Sequence, residues 1–327
     1  MSRVLVTGAS GFAGSHLTRR LLDDERAVRV LARPTSNVSE LEAAGAEVRL
    51  GDVTEIESLR HAVEGIKTVF HVAALFRKAG LPDQAYRAVN HDGTRNLLQA
   101  ALEAGVERFV HCSTVGVLGN INNPPADESA PYHPGDVYQI TKCAGEKAAL
   151  AYHREHGLPV SVVRPAGIYG PGDLRWLKLF KGIARRRFVM LGNGETLIHM
   201  VYVSDLVDAF LLAAERPNAV GQVYIAASER YVTLNELAGT IAGAVGVPPP
   251  RLHIPVKPIH FLSGVCEDVC RAMGIEPPIY RRRVDFFVKN RAFDITKAKT
   301  ELGYLPQVDL ADGIGRTAQW YREKGLL

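Results

Sequence analysis

Cysteine is scarce in this chain, and the four present are scattered: Cys112, Cys143, Cys266 and Cys270 among 327 residues. Their spacing gives no disulfide framework, no zinc-ligand set and no Cys-x-x-Cys redox pair, so buried or idle thiols in a reducing cytoplasm are expected, and no metal site. Long apolar runs are missing too. The best candidate, Leu206–Ala214, is interrupted by Asp208 and falls short of the roughly 20 residues that cross a bilayer. The opening Met1–Gly8 enters a strand-like run at once, with no charged leader and apolar core, which argues against a secretory signal. A strong charge of one sign is also lacking. The net charge of +4 suits a mild pull on nucleotide phosphates and speaks against a nucleic-acid surface or a membrane partner. There is no internal repeat and no low-complexity segment. What remains is ordinary globular composition, 46% apolar and 23% charged, enough for a substantial core.

The first half alternates β-branched runs with helical patterns. Strands are expected at Arg3–Thr7, Ala27–Leu31, Glu47–Leu50, Thr68–Val72, Arg108–Cys112 and Val160–Arg164. Helices are expected at Phe12–Leu22, Val38–Ala44, Ile56–Val63, Gln84–Ala104 and Tyr138–His156. This alternation predicts an α/β fold with a doubly wound parallel sheet, which binds ligands at the carboxyl ends of its strands. After Pro165 the rhythm falters. A loop is marked by Gly167, Gly170, Pro171 and Gly172, a helix follows at Trp176–Arg185, and Ile198–Val203, Ser204–Ala214 and Gln222–Ile225 read as a return to the sheet. We expect residues 1–168 and 198–227 to form the cofactor-binding Rossmann domain, and 169–197 with 228–327 a smaller, interleaved substrate-binding part.

The first strand runs straight into Gly8-Ala9-Ser10-Gly11-Phe12-Ala13-Gly14 and then a helix. Gly8 permits a tight turn, Gly11 lets the backbone approach a pyrophosphate, and Gly14 lets helix pack on strand. The helix N-terminus adds free amide hydrogens and a partial positive charge. Farther on, Tyr138-Gln139-Ile140-Thr141-Lys142 puts a phenol and an ammonium on one helix face. A phenol with its ordinary pKa of about 10 is a poor base at neutral pH, and a nearby ammonium favours its ionised form. Lys142 can also hold a nicotinamide ribose. The two motifs together point to hydride transfer with a nicotinamide cofactor.

The Gly-x-x-Gly-x-x-Gly spacing resembles the extended branch of the short-chain dehydrogenase/reductase superfamily, the NAD-dependent epimerase/dehydratase family, and the resemblance runs over nearly the whole chain. It implies that Phe12 and Ala13 belong to the phosphate loop. In Gly51-Asp52-Val53, the resemblance implies that Asp52 meets the adenine amino group and Val53 packs on the ring. Ala73 and Ala74, in His71-Val72-Ala73-Ala74, would let backbone lie along the cofactor, and Asn90, in Asn-His-Asp-Gly-Thr-Arg-Asn, would brace the site. Arg164-Pro165-Ala166-Gly167-Ile168-Tyr169-Gly170-Pro171-Gly172 is similar to the loop that packs on the nicotinamide, which assigns Pro165 and Ile168 to the cofactor. By the pattern Ser-Thr/Ser-x-x-Val-Tyr-Gly, Thr114 aligns with the catalytic hydroxyl, five before Gly119. Ser113 is the neighbouring alternative, and one step along a strand reverses a side chain. Leu118 stands where the family has tyrosine. A homodimer through the helices Gln84–Ala104 and Tyr138–His156 follows from the resemblance alone.

At the end of the second strand, where an NAD site usually has an acid, this chain has Arg33. A guanidinium can fork onto a 2′-phosphate, so NADP is preferred over NAD. The same stretch is similar to dihydroflavonol reductases. Glu195-Thr196-Leu197-Ile198-His199 lacks the arginine common in nucleotide-sugar members. That element, with the tail Asn290–Ala298 and Glu301-Leu302-Gly303-Tyr304, looks more like the 3β-hydroxysteroid dehydrogenase branch. The runs Arg185-Arg186-Arg187 and Arg281-Arg282-Arg283 are either phosphate contacts or solvated faces. Phe76, Val115, Phe180 and Leu191 are expected to face a small-molecule substrate. The expected activity is a reductase or dehydrogenase of a bulky alcohol or ketone. A nucleotide-sugar epimerase or dehydratase with retained NAD is the alternative, and the intact Tyr138/Lys142 pair argues against a non-catalytic cofactor sensor.

Overall fold

A computed structural model describes residues 3–76, 80–256, 258–259 and 281–327, side chains at 281–283 excepted. Cys266 and Cys270 lie outside the described residues, as do the side chains of the Arg281–Arg283 run. The first six strands are β1 (Val4–Thr7), β2 (Val28–Ala32), β3 (Glu47–Leu50), β4 (Thr68–His71), β5 (Arg108–Cys112) and β6 (Val160–Pro165). The helices among them are α1 (Phe12–Asp23), α2 (Ser39–Ala43), α3 (Ile56–Val63), α4 (Asp83–Arg87), α5 (Gly93–Glu103) and α6 (Val137–His156). With the strand Val223–Ala226 the six form a seven-stranded sheet, ordered 223–226, β6, β5, β4, β1, β2, β3, and every pairing in it is parallel.

Alternation along the strands feeds two cores. Val4 and Val6 of β1 point into a cluster with Leu17 and Leu21 of α1 and Phe210 of the helix Val203–Glu215. Leu5, between them, joins Val69, Leu97 and Phe109 on the other face. A third cluster gathers Phe180, Leu237, Ile241, Ile314 and Tyr321, from the helices Leu177–Ala184, Leu234–Val245 and Leu310–Glu323.

The expected return of Ile198–Val203 to the main sheet does not occur. Met200–Tyr202 pairs instead with Gly167–Tyr169, and Leu197–Ile198 pairs with Val232–Thr233. The reason lies at the end of β6. Ala166 N makes a last bond to Ala226 O, and the next residue, Gly167, already donates to His199 O. Val223–Ala226 does rejoin the sheet, beside β6. The long helix expected at Gln84–Ala104 contains a feature its sequence did not announce, a π-helical turn at Ala88–Asp92 between α4 and α5. Asn90 sits in that turn, buried.

Candidate active site

The carboxyl ends of β1, β2, β4, β5 and β6 open into one cleft of about 910 Å³. At its cofactor end the glycine loop is shaped by contacts that tolerate no side chain. Gly8 has φ +77°, and a Cβ there would lie 2.6 Å from Ala73 N. A Cβ on Gly14 would lie 2.1 Å from Gly8 O. Helix α1 begins at Gly11 with no side-chain cap and no acid in its first turn, so its leading amides are left for an anion. Phe12, Ala13, Arg33, Asp52, Val53, Ala73, Ala74, Pro165 and Ile168 all line the same cleft. Arg33 is exposed there, while Asp52 is turned on itself, its Oδ1 accepting from Thr54 N at 2.9 Å and Thr54 Oγ1 at 2.8 Å. This cradle fits a dinucleotide.

Beneath the loops runs a buried relay whose direction follows from proton counting. Thr94 Oγ1 donates to Asn90 O at 2.9 Å, so it accepts from His71 Nε2, also at 2.9 Å. His71 Nδ1 therefore accepts from Thr7 Oγ1 at 2.8 Å, and Thr7 Oγ1 in turn accepts from Ala73 N at 3.3 Å. His71 is held as the neutral Nε2–H form. Burial, with the Lys142 charge nearby, pushes its pKa down to about 3. The Asn90 side chain completes the brace: its Oδ1 accepts from Leu75 N at 2.8 Å, and its Nδ2 donates to Leu75 O at 3.2 Å and Thr141 Oγ1 at 3.1 Å. Asn90 is not on the cleft wall. It ties the loop after β4 to α6, which carries Tyr138 and Lys142.

Asp136 caps α6, its Oδ1 accepting from Gln139 N at 2.9 Å, and so fixes where the helix starts. One turn in, Lys142 is buried and donates from Nζ to Cys112 O at 2.6 Å. Three ammonium hydrogens leave two for a ligand. Burial lowers its pKa, against the opposing pull of Cys112 and Glu146. The Tyr138 ring meets Phe76 edge-on, with centroids 4.9 Å apart. Thr114 and Ser113, adjacent in sequence, have different fates. The Ser113 hydroxyl is committed to Glu146 Oε2. Thr114 Oγ1 accepts from Gly116 N at 3.0 Å, which leaves its own proton to donate.

Glu146 is wholly buried and forms a forked ion pair with Arg164, Nη2 to Oε1 at 2.6 Å and Nε to Oε1 at 3.1 Å. Tyr132 OH donates to the same Oε1 at 2.7 Å. The pair anchors the end of β5 to α6 and β6. Its geometry is what a buried ion pair needs to offset desolvation.

Two of the residues expected to face a substrate do not reach the cleft. Phe180 is 1% exposed and packs edge-on against Tyr321, because the apolar face of its helix serves the third core cluster. Leu191 is paired with Ile254 and is absent from the cleft wall. Phe76 and Val115 do line it. Arg185, Arg186 and Arg187 are exposed after their helix and are not part of the wall.

The sequence reading missed Gln139, Arg175, Trp176, Ile198, His199 and Arg291, all on the wall. Gln139 sits inside the Tyr-x-x-x-Lys motif and was open to notice. His199 accepts at Nδ1 from Phe293 N at 3.4 Å and donates from Nε2 to Ser228 O at 2.8 Å. Burial pushes its pKa down to about 4. It holds the tail Arg291–Phe293 against the cleft, a contact no local pattern predicts. Cys112 and Cys143 are free and buried, as expected.

Residues 4–227 match the model of the NAD dependent epimerase/dehydratase family, and the chain belongs to that family, in the extended branch of the short-chain dehydrogenases/reductases. It is an NAD(P)-dependent oxidoreductase. Over 339 residues it is 32% identical to a 3-beta-hydroxysteroid dehydrogenase of Mycolicibacterium neoaurum, across 99% of this chain and 92% of that one. It is 30% identical to the 2-alkyl-3-oxoalkanoate reductase of Stenotrophomonas maltophilia, across 96% of this chain and 98% of that one. A dTDP-glucose 4,6-dehydratase from Streptomyces venezuelae, solved with NAD bound, aligns with a TM-score of 0.78 at 29% identity, covering 98% of this chain and 97% of that one. Among the described residues no helix is long and apolar enough to cross a membrane.

Proposed function

We propose that the protein interconverts a bulky alcohol and the corresponding ketone, with NADP preferred over NAD. The observation that carries this is the continuity of one cleft. Its wall carries Arg33 and the glycine loop, then Thr114, Tyr138 and Lys142, and the apolar side chains Phe76, Val115, Trp176 and Ile198. The names of the steroid dehydrogenase and oxoalkanoate reductase relatives agree with a large substrate.

A bound nicotinamide supplies the hydride donor or acceptor at the reacting carbon. Thr114 donates its hydroxyl proton to the substrate oxygen and orients it. Tyr138 gives or takes the proton on that oxygen. Lys142, fixed by Cys112 O, would hold the ribose of a bound nicotinamide with its remaining hydrogens and favours the phenolate. Asn90 positions α6 for all three. The chain divides into a dinucleotide part, 1–168 and 198–227, and a substrate part, 169–197 and 228–327. It works in a reducing cytoplasm, in keeping with its scattered cysteines, and as a homodimer, a reading that rests on family resemblance.

The test is to denature freshly purified protein, identify any nicotinamide released, and titrate emptied protein with NADPH and NADH. No released cofactor, and tighter NADPH binding that Arg33→Ala weakens about tenfold or more, is the expected outcome. Released NAD near one per chain would overturn it in favour of an epimerase or dehydratase. That second reading draws on the NAD-bound dehydratase neighbour and on Arg291, a cation on the cleft wall that suits a diphosphate.

A further inference from the structure

Arg175 is the point where three cofactor loops meet. Its guanidinium carbon lies 5.4 Å from the ring centre of Phe12, in the glycine loop, and 5.7 Å from that of Phe76, in the loop after β4. Its Nη2 donates to Ile168 O, in the loop after β6, at 3.0 Å. The segment that carries it is docked on α1: His16 Nε2 donates to Pro171 O at 2.9 Å, and a Cβ on Gly172 would lie 3.5 Å from Phe12.

The orientation of the guanidinium is fixed from behind. Asp173 is 1% exposed, and its Oδ1 accepts from Arg175 Nε at 2.7 Å and from Arg175 N at 2.9 Å. Tyr321 OH in turn donates to Asp173 O at 2.6 Å, anchoring the loop in the third core cluster. Asp173 Oδ2 is buried and, among the described residues, has no hydrogen-bond partner. One edge of Arg175 is thus tied down. Of its five N–H groups, three have no acceptor among the described residues, and they belong to a side chain that lines the cleft beside the anion-binding end of α1.

We propose that Arg175 is a clasp for the diphosphate of the dinucleotide. Its unused N–H groups donate to the diphosphate oxygens held at the start of α1. Asp173 is the positioning residue that aims it. The proposal rests on a dinucleotide occupying the cleft, and not on which alcohol is turned over.

The experiment compares the wild-type protein with Arg175→Met by calorimetric titration with NADPH, ADP-ribose and adenosine. Methionine keeps the length of the side chain and removes its donors. Charge-assisted hydrogen bonds of this kind are worth a factor of about ten or more. Kd for NADPH and for ADP-ribose should rise by that factor while adenosine binds both proteins equally; the melting temperature of the ligand-free protein should fall, because buried Asp173 loses its charged partner, and the titrations are made well below it. Arg175→Lys should recover part of the loss, and Asp173→Asn should give a smaller rise than Arg175→Met. Unchanged ADP-ribose affinity overturns the clasp. An equal loss for adenosine also overturns it, since the defect would then not lie at the diphosphate. None of these readouts requires turnover, so failure of the alcohol–ketone reading would leave this result intact.

Discussion

Where the cleft faces Gly8–Gly14, its walls are the ends of parallel strands, joined backbone to backbone in continuous register. Where it faces Trp176 and Arg291, the walls are strands two or three residues long, tied by single side chains. Thr196 Oγ1 donates to Phe287 O at 2.6 Å, and Asn290 Oδ1 accepts from Leu197 N at 2.9 Å. The first construction leaves little room for a change of sequence, because backbone meets backbone at Gly8 and Gly14. It suits a ligand of constant shape. The second can be altered one anchor at a time without disturbing the sheet, which suits a substrate that differs among relatives named for steroids, oxoalkanoates and sugar nucleotides.

The sharpest break between the halves should come at their junction. Tyr138→Phe is expected to lower kcat about a thousandfold or more while NADPH affinity stays within about twofold. Steady-state kinetics beside a binding titration checks this, and near-normal turnover would remove Tyr138 from the chemistry. Next in size is the buried pair behind it. Glu146→Gln leaves Arg164 charged and uncompensated, and should cost about 3–5 kcal/mol in urea unfolding. The double variant with Arg164→Met should lose less than the two single losses combined, and simple additivity would deny the coupling.

Phe180→Ala addresses the substrate half. As a core residue it should cost about 3 kcal/mol or more of stability with no selective rise in KM. A large KM effect at unchanged stability would return Phe180 to the cleft.

The smallest expected effect is that of replacing one buried histidine. His71 and His199 hold folded pKa values of about 3 and about 4 against an ordinary 6.5, and His111 is also pushed well down by burial. As pH falls below 6.5 the unfolded chain takes up these protons and the folded chain refuses them. The stability they support is therefore full above that pH and is lost on the way down, by up to about 1.4 kcal/mol per histidine per pH unit. Glu128 and Asp205, raised by burial, act in the opposite sense near their own ordinary range, so the clean window is about pH 5 to 6.5. His111 has both ring nitrogens buried with no partner among the described residues. His111→Leu should raise stability by about 1 kcal/mol and flatten that acid limb, to which His16, also lowered by burial, adds, as read from melts across the window. An unchanged slope would mean that His111 titrates normally.

The same contrast decides what could be read in advance. The glycine loop, Asn90 and the Tyr138/Lys142 pair are local patterns, each within a few residues on one element, and all but Asn90 line the cleft. Phe180 and Leu191 misled because an apolar residue after a glycine-rich loop looks the same whether it faces ligand or core. Arg175, His199 and Arg291 gave no local sign. His199 and Arg291 reach the cleft through contacts across the chain, such as His199 to Phe293, 94 positions apart, and Arg175 is aimed there by Asp173 and Ile168 O. The switch of Met200–Tyr202 to a new partner was equally hidden, since its three buried residues would suit either sheet.

The π turn at Ala88–Asp92 carries a consequence for how this helix can change. One residue of an α-helix is a rotation of about 100°, and the wider turn works as a phase shift written into a single rod. Upstream and inside it, Asn90 keeps its aim at Leu75 and Thr141. Downstream, Leu97 and Leu98 keep theirs at the sheet. Removing one residue there would put the two segments back in step and swing one of these faces out of place, whatever side chains were chosen. The helix therefore has a reading frame, and within it substitution is a milder change than a deletion of one.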